Sequence, residues 1–229
     1  MQVASDYGLD MDSHVAISTD GAATMIGQHN SLTQKIKADH NSTLSIHCTA
    51  HRLSLACSDT VKALEEIQTF ERLLNQIWRF FAVSPLKSAK LAQFQKLSKS
   101  DGLRLKRSCR TRWLSCEAAI KSMYGEIWTV WETLAYFKNE KRDYVAAGLL
   151  EGSQSKKYLF ILFLLYEVVT ELSKLSKIFQ NGHLYFSHLS ASLKTCKATI
   201  FLIQQNKSPN EKLQSEWSRF EDQCGTLSK

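Results

Sequence analysis

Three short clusters carry side chains able to do chemistry. Thr19-Asp20-Gly21 closes the β-prone run Val15-Ala16-Ile17-Ser18, which puts the Asp20 carboxylate at the carboxyl end of a strand. A carboxylate held rigidly there suits a hard divalent cation such as Mg²⁺. It equally suits the first backbone N–H groups of a following helix, the commoner use of a Thr-Asp-Gly sequence. Cys48 and His51 close a second run, Leu44-Ser45-Ile46-His47-Cys48. Thiolate and imidazole are zinc ligands, but zinc needs a second pair, and Cys109 and Cys116 have six residues between them, outside the usual spacing of two to four. Zinc is therefore not expected, and a buried cysteine beside a hydrogen-bonded histidine is the competing reading. Arg112-Trp113 ends a basic stretch: the arginine offers a planar fork for phosphate and the tryptophan a face for an unpaired base. A tryptophan opening an apolar helical stripe is more often core, the reading preferred for Trp78, Trp128 and Trp131.

The charge pattern sharpens the third cluster. Between Lys87 and Arg112 lie nine cationic residues, Lys87, Lys90, Lys96, Lys99, Arg104, Lys106, Arg107, Arg110 and Arg112, against the single acid Asp101. That window carries +8 of a chain total of +7, so the rest sums to −1. Counterion release from a phosphate backbone needs such a concentration. A solvated lysine-rich helix followed by a loop is the alternative.

The elements that must position these residues are mostly helical. Only two prolines and nine glycines interrupt 229 residues, 44% of them hydrophobic, enough for one large domain or two small ones. The two strand-like runs fall near the start, with a helical pattern from Gly21 to about Lys37 between them and another opening at Ala50. Two strands alone make no stable sheet, and an exposed half-sheet invites self-association. Beyond about Val61 the pattern is helical throughout. Leu64, Ile67, Phe70, Leu74, Ile77, Trp78 and Phe81 form one stripe, stopped by Ser84-Pro85, and a shorter helix spans Leu86–Leu97. Residues 98–102 read as a loop. Trp113, Ala119, Ile120, Met123, Ile127, Val130, Trp131, Leu134 and Phe137 trace a long helix to about Lys141. A helix over 156–180, apolar on most faces, is expected at the centre, stopped by Asn181-Gly182; helices over 187–205 and 209–223 follow. The expected division is a βα segment at 1–60 and a helical domain at 61–229.

The longest apolar run, Tyr158 to Tyr166, is nine residues, far short of the ~20 that span a bilayer. No basic start followed by an apolar core marks a secretory signal. Six spread cysteines fit reduced thiols rather than a disulfide framework. The expectation is a soluble, intracellular protein, and a nuclear address suits DNA binding.

These motifs, in this order, resemble the central part of hAT-superfamily DNA transposases. Ser18-Thr19-Asp20-Gly21-Ala22-Ala23-Thr24-Met25 is similar to the context of the family's second catalytic Asp, and Cys48 and His51, with Arg52-Leu53 and Leu55-Ala56, to its Cys-x-x-His motif, which implies that the pair shapes the active-site side of the sheet or lies near bound DNA. Thr111-Arg112-Trp113-Leu114-Ser115 resembles its Arg-Trp pair, and Leu172 to Gln180 a Phe-Gln helix of domesticated members. The resemblance implies an α+β, mostly α fold: a partial RNase H-like βα segment followed by a helical insertion domain. It also implies an Asp, Asp, Glu set on Mg²⁺, of which Asp20 alone is matched. Asp6, Asp10 and Asp12 lie in no β pattern, and Glu211, Glu216 and Glu221 in no recognisable catalytic context. One carboxylate cannot hold a two-metal site. The expectation is a catalytically inactive, transposase-derived DNA-binding protein that uses Arg104, Lys106, Arg107, Arg110, Arg112 and Trp113. Its alternatives are a protein-interaction module of the same origin, or a fragment of a longer active transposase. Mg²⁺ would bind at Asp20 only if the other acids were supplied.

Overall fold

The computed structural model describes residues 6–8, 10, 13, 15–109, 113–180, 186–205 and 218, without side chains for 113–115, 186 and 187. Two compact units divide at Ala56/Cys57. The first holds two parallel strands, β1 (Ala16–Thr19) and β2 (Leu44–His47), in the register Ala16↔Leu44 to Thr19↔His47. Helices α1 (Ala23–Ile26) and α2 (Leu32–Asp39) make the crossover that parallel pairing demands. The sequence pattern predicts one helix through this region. It breaks because Gly27 ends α1, Asn30 takes a left-handed φ of 55°, and Ser31 caps a new start by accepting the Gln34 amide. The Thr33 hydroxyl donates to the Met25 carbonyl at 2.6 Å and ties the two short helices together. The sheet itself stays open, with Val15, Leu44 and Ile46 at 71%, 60% and 50% exposure.

Helix α3 (Thr49–Ala63) contains the division between the units. The second unit continues with α4 (Glu65–Ala82), α5 (Pro85–Leu97), α6 (Trp113–Lys141), α7 (Tyr144–Ser153), α8 (Lys156–Phe179) and α9 (Phe186–Gln204). Ser84 caps α5 with Pro85 at its first position, and Ser155 caps α8. The molecule is mostly helical with one small parallel sheet.

Two helices are central to the second unit, α6 and the α8 expected there, which packs against α4, α6, α7 and α9. Helix α6 packs against α5, α7 and α8, and its residues Ile120, Met123, Ile127, Val130, Trp131, Leu134 and Phe137 are buried at spacings of three and four. Helix α8 buries Tyr158, Leu159, Leu162 and Val169 but leaves Phe160 and Leu164 exposed. Helix α7 has no counterpart in the sequence reading. It is a ten-residue helix capped by Asp143, and Ala146, Leu149 and Leu150 fill the gap between α4 and α6. Its Gly148 is exposed in the helix interior, with nothing within 4 Å of an added Cβ. Gly148→Ala is therefore expected to stabilise the protein by ~0.5–1 kcal/mol through helix propensity alone, measured by urea unfolding. The helix expected over 209–223, the Asn181-Gly182 stop, and Arg110 and Arg112 lie outside the described residues.

Candidate nucleic-acid interface

The first unit gathers three predicted residues at one edge. Thr19 and His47 are register partners, so Asp20 and Cys48 step off adjacent strand ends, and the Cys48 amide donates to the Thr19 carbonyl at 2.8 Å. A Cβ on Gly21 would lie 2.9 Å from the His47 ring, so only glycine lets this turn approach it. The His47 and His51 rings are 5.4 Å apart. His47 Nε2 and Thr19 Oγ1 are enclosed and hydrogen-bond to no described residue. Asp20 Oδ1 accepts the Ala22 amide at 3.1 Å, the local capping role weighed against cation binding. Among the described residues, no group of three His, Cys, Asp or Glu side chains could hold a metal ion.

In the second unit the basic window separates into two parts. Two of its α5 lysines, Lys87 and Lys90, bend back onto the protein. Lys87 Nζ sits 2.8 Å from Asp143 Oδ2 and 3.4 Å from the centroid of Phe80, and Lys90 Nζ is 4.0 Å from the centroid of Tyr136. Long aliphatic stems over aromatic rings are the general behaviour of lysine on an apolar face. The α5 part of the window is thus less available than its charge count implies.

Asp143 does two jobs, since Oδ1 also accepts the Val145 and Ala146 amides that open α7. Burial alone would raise its carboxyl, but the hydrogen bond and charge of Lys87 with the two amides hold it below its usual range. At Glu117 burial is likewise outweighed, by Lys121 at 2.7 Å and the Ser173 hydroxyl. A depressed native carboxyl means the unfolded chain binds more protons as pH falls. Stability is therefore expected to be level above about pH 5 and to fall as pH drops below about 4, and Asp143→Asn should flatten part of that fall in thermal unfolding across pH.

The rest of the window is a different object. Gly102, at φ 66°, turns the chain out of the end of α5, and residues 101–109 run without helix or strand as a strap over α6. Its inward groups are pinned. The Leu103 amide donates to Glu126 Oε1 at 2.7 Å, and the Leu103 carbonyl accepts Gln95 Nε2 at 3.0 Å. The Lys106 amide donates to Ser122 Oγ at 3.2 Å, the Ser108 amide to Asn75 Oδ1 at 2.9 Å, and the Ser108 hydroxyl to Glu71 Oε1 at 3.0 Å. Leu105 is buried in the core.

With 105 and 108 inward, Arg104, Lys106 and Arg107 face solvent, and none is in an ion pair with a described residue. The Arg107 guanidinium lies 5.7 Å from the Trp78 ring. Trp113 opens α6, and its side chain is outside the described residues.

The residues that hold the strap, Glu71, Ser122 and Glu126, are absent from the sequence reading. The signal was present: Glu126 lies three residues after Met123 and four before Val130, a charge inside an apolar stripe, which needs an internal partner. Two cysteines are held as thiols. Burial, with smaller contributions from Cys116 and Cys196, pushes the Cys57 thiol up to about 11, and burial pushes Cys116 up to about 11, so both stay protonated at neutral pH.

No described helix is long and apolar enough to cross a membrane. No family model matches the chain, and no solved structure matches it significantly.

Proposed function

We propose that this protein is a transposase-derived nucleic-acid-binding protein of the hAT type, and that it grips the phosphate backbone through the strap at 101–109. The observation that carries the reading is the strap's division of labour. Amides and small polar side chains turn inward to buried acceptors, while Arg104, Lys106 and Arg107 project outward without acidic partners. Cations fixed to a pinned backbone lose less freedom on binding phosphate than cations on a free loop. Lys96 and Lys99, at the end of α5 and just beyond it, are also exposed. In support of an RNase H-like origin, the parallel β1/β2 pair has a helical crossover and carries Asp20 at its carboxyl end. We assign Asp20 no catalytic step, since its carboxylate serves the Ala22 amide.

The test is fluorescence anisotropy of a labelled DNA hairpin titrated with the full chain over a salt series. With three phosphate contacts, the expected slope of log affinity against log salt is about −3 on duplex and about −2 on a single strand. Binding indifferent to salt, or no binding at low salt, overturns the proposal. Mg²⁺-dependent nicking abolished by Asp20→Ala overturns the non-catalytic part.

A further inference from the structure

Beside the strap, between α6 and α8, is a cleft of about 350 Å³ whose wall is aromatic: Tyr124, Trp128, Phe163 and Tyr166. Tyr124 and Tyr166 are stacked at 3.9 Å with planes 15° apart, and Phe163 meets Tyr124 edge-on at 5.3 Å. Leu103 and Asp101, from the start of the strap, also line it, so the cleft adjoins the segment that carries the outward cations. Of the charged lining residues, Lys121 is neutralised by Glu117 at 2.7 Å, whereas Asp101 has no ion-pair partner among the described residues.

An aromatic-lined cleft with a carboxylate in no ion pair among the described residues, beside a segment of outward cations, has the chemistry of a nucleobase site. We infer that this cleft receives one unpaired base of a strand whose phosphates lie on Arg104 and Lys106, and that guanine is preferred. The inference rests on the strap reading above. The slot supplies flat apolar contact for any base, and Asp101 supplies the selection. Guanine alone presents two adjacent N–H donors, N1–H and N2–H, to a carboxylate; thymine presents one imino donor flanked by two carbonyls. Gly125, exposed on α6, also lines the cleft, and a Cβ there would come within 3.0 Å of Leu103 Cδ1.

The experiment compares binding of the full chain to a thymidine decamer and to the same decamer with one central guanine, at low salt. A bidentate pair of this kind is worth about a tenfold preference for the guanine strand. Asp101→Asn should bring that ratio to about 1. Gly125→Met narrows the cleft from an exposed helix position; because its Cβ would lie 3.0 Å from Leu103 Cδ1, its salt-dependent affinity for the thymidine decamer is measured beside it and should match the parent's. The substitution should abolish the quenching of a 2-aminopurine placed at the same central site.

Equal affinity for the two strands, with binding of both that weakens with salt, overturns the base site and leaves the strap reading intact. Quenching that survives Gly125→Met also overturns the site. Failure of both strands to bind at low salt removes the strap reading, and the base site with it.

Discussion

Replacing Arg104, Lys106 and Arg107 together with glutamate is expected to lower affinity for DNA by at least ~100-fold at moderate salt, with unfolding free energy changed by no more than ~0.5 kcal/mol. The stability half of this expectation follows from where the three side chains are. All are exposed and none is in an ion pair with a described residue, so their loss leaves no buried partner uncompensated. The strap is held by its amides and by Leu105 and Ser108, which the substitutions do not touch. The binding half follows from charge. The chain falls from +7 to +1, and every lost charge comes from one short surface segment, so three contacts become three repulsions.

The matched control is Lys87→Glu with Lys90→Glu, also drawn from the basic window. These side chains lie on Phe80 and Tyr136, and Lys87 is paired with Asp143, so the control should destabilise the protein and weaken binding far less than the triple variant. A triple variant that binds like the parent would show that the strap does not hold phosphate.

The contrast between those two variants marks what the sequence could and could not tell. A count of lysines and arginines locates a basic segment but contains no direction, and only packing distinguishes Lys87, folded over a ring, from Lys106, projecting from a strap. Periodicity was enough for α6, because its apolar residues recur at three and four through most of 29 residues and no proline breaks them. It failed between Gly21 and Lys37, where short-range chemistry outweighed pattern: Gly27, Asn30 and Ser31 end one helix and start another within five residues. Helix α7 was invisible for the opposite reason. Ten residues with two glycines give too few turns to show a period, and the helix exists because Asp143 caps it and three apolar residues meet α4 and α6. At the candidate site the outward charges were legible, while the buried acids that aim them were hidden inside apolar stripes.

Glu126→Ala tests whether those acids act on function or only on folding. Glu126 is 1% exposed on α6. Its Oε1 accepts the Leu103 amide at 2.7 Å, and its Oε2 accepts the Ser100 hydroxyl at 2.9 Å and the Thr129 hydroxyl at 2.8 Å. Truncation leaves three donors without this acceptor and opens a cavity under the strap. Two hydroxyls can rotate toward other acceptors, but the Leu103 amide cannot. The expected cost is about 3–4 kcal/mol in urea unfolding, with Glu126→Gln, which keeps one oxygen and the volume, costing about half.

The binding readout separates the two roles by sign. Removing a negative charge beneath a phosphate-binding surface should by itself raise affinity for DNA slightly. If Glu126 positions the strap, affinity falls instead, because Arg104 and Lys106 now sit on a segment that must be ordered at the moment of binding. Measured where both variants are fully folded, the expected result is a drop of about 5- to 10-fold for Glu126→Ala, with Glu126→Gln close to the parent. An affinity equal to or above the parent's in Glu126→Ala would mean that the acid serves only the fold, and that the strap needs no anchoring to hold phosphate.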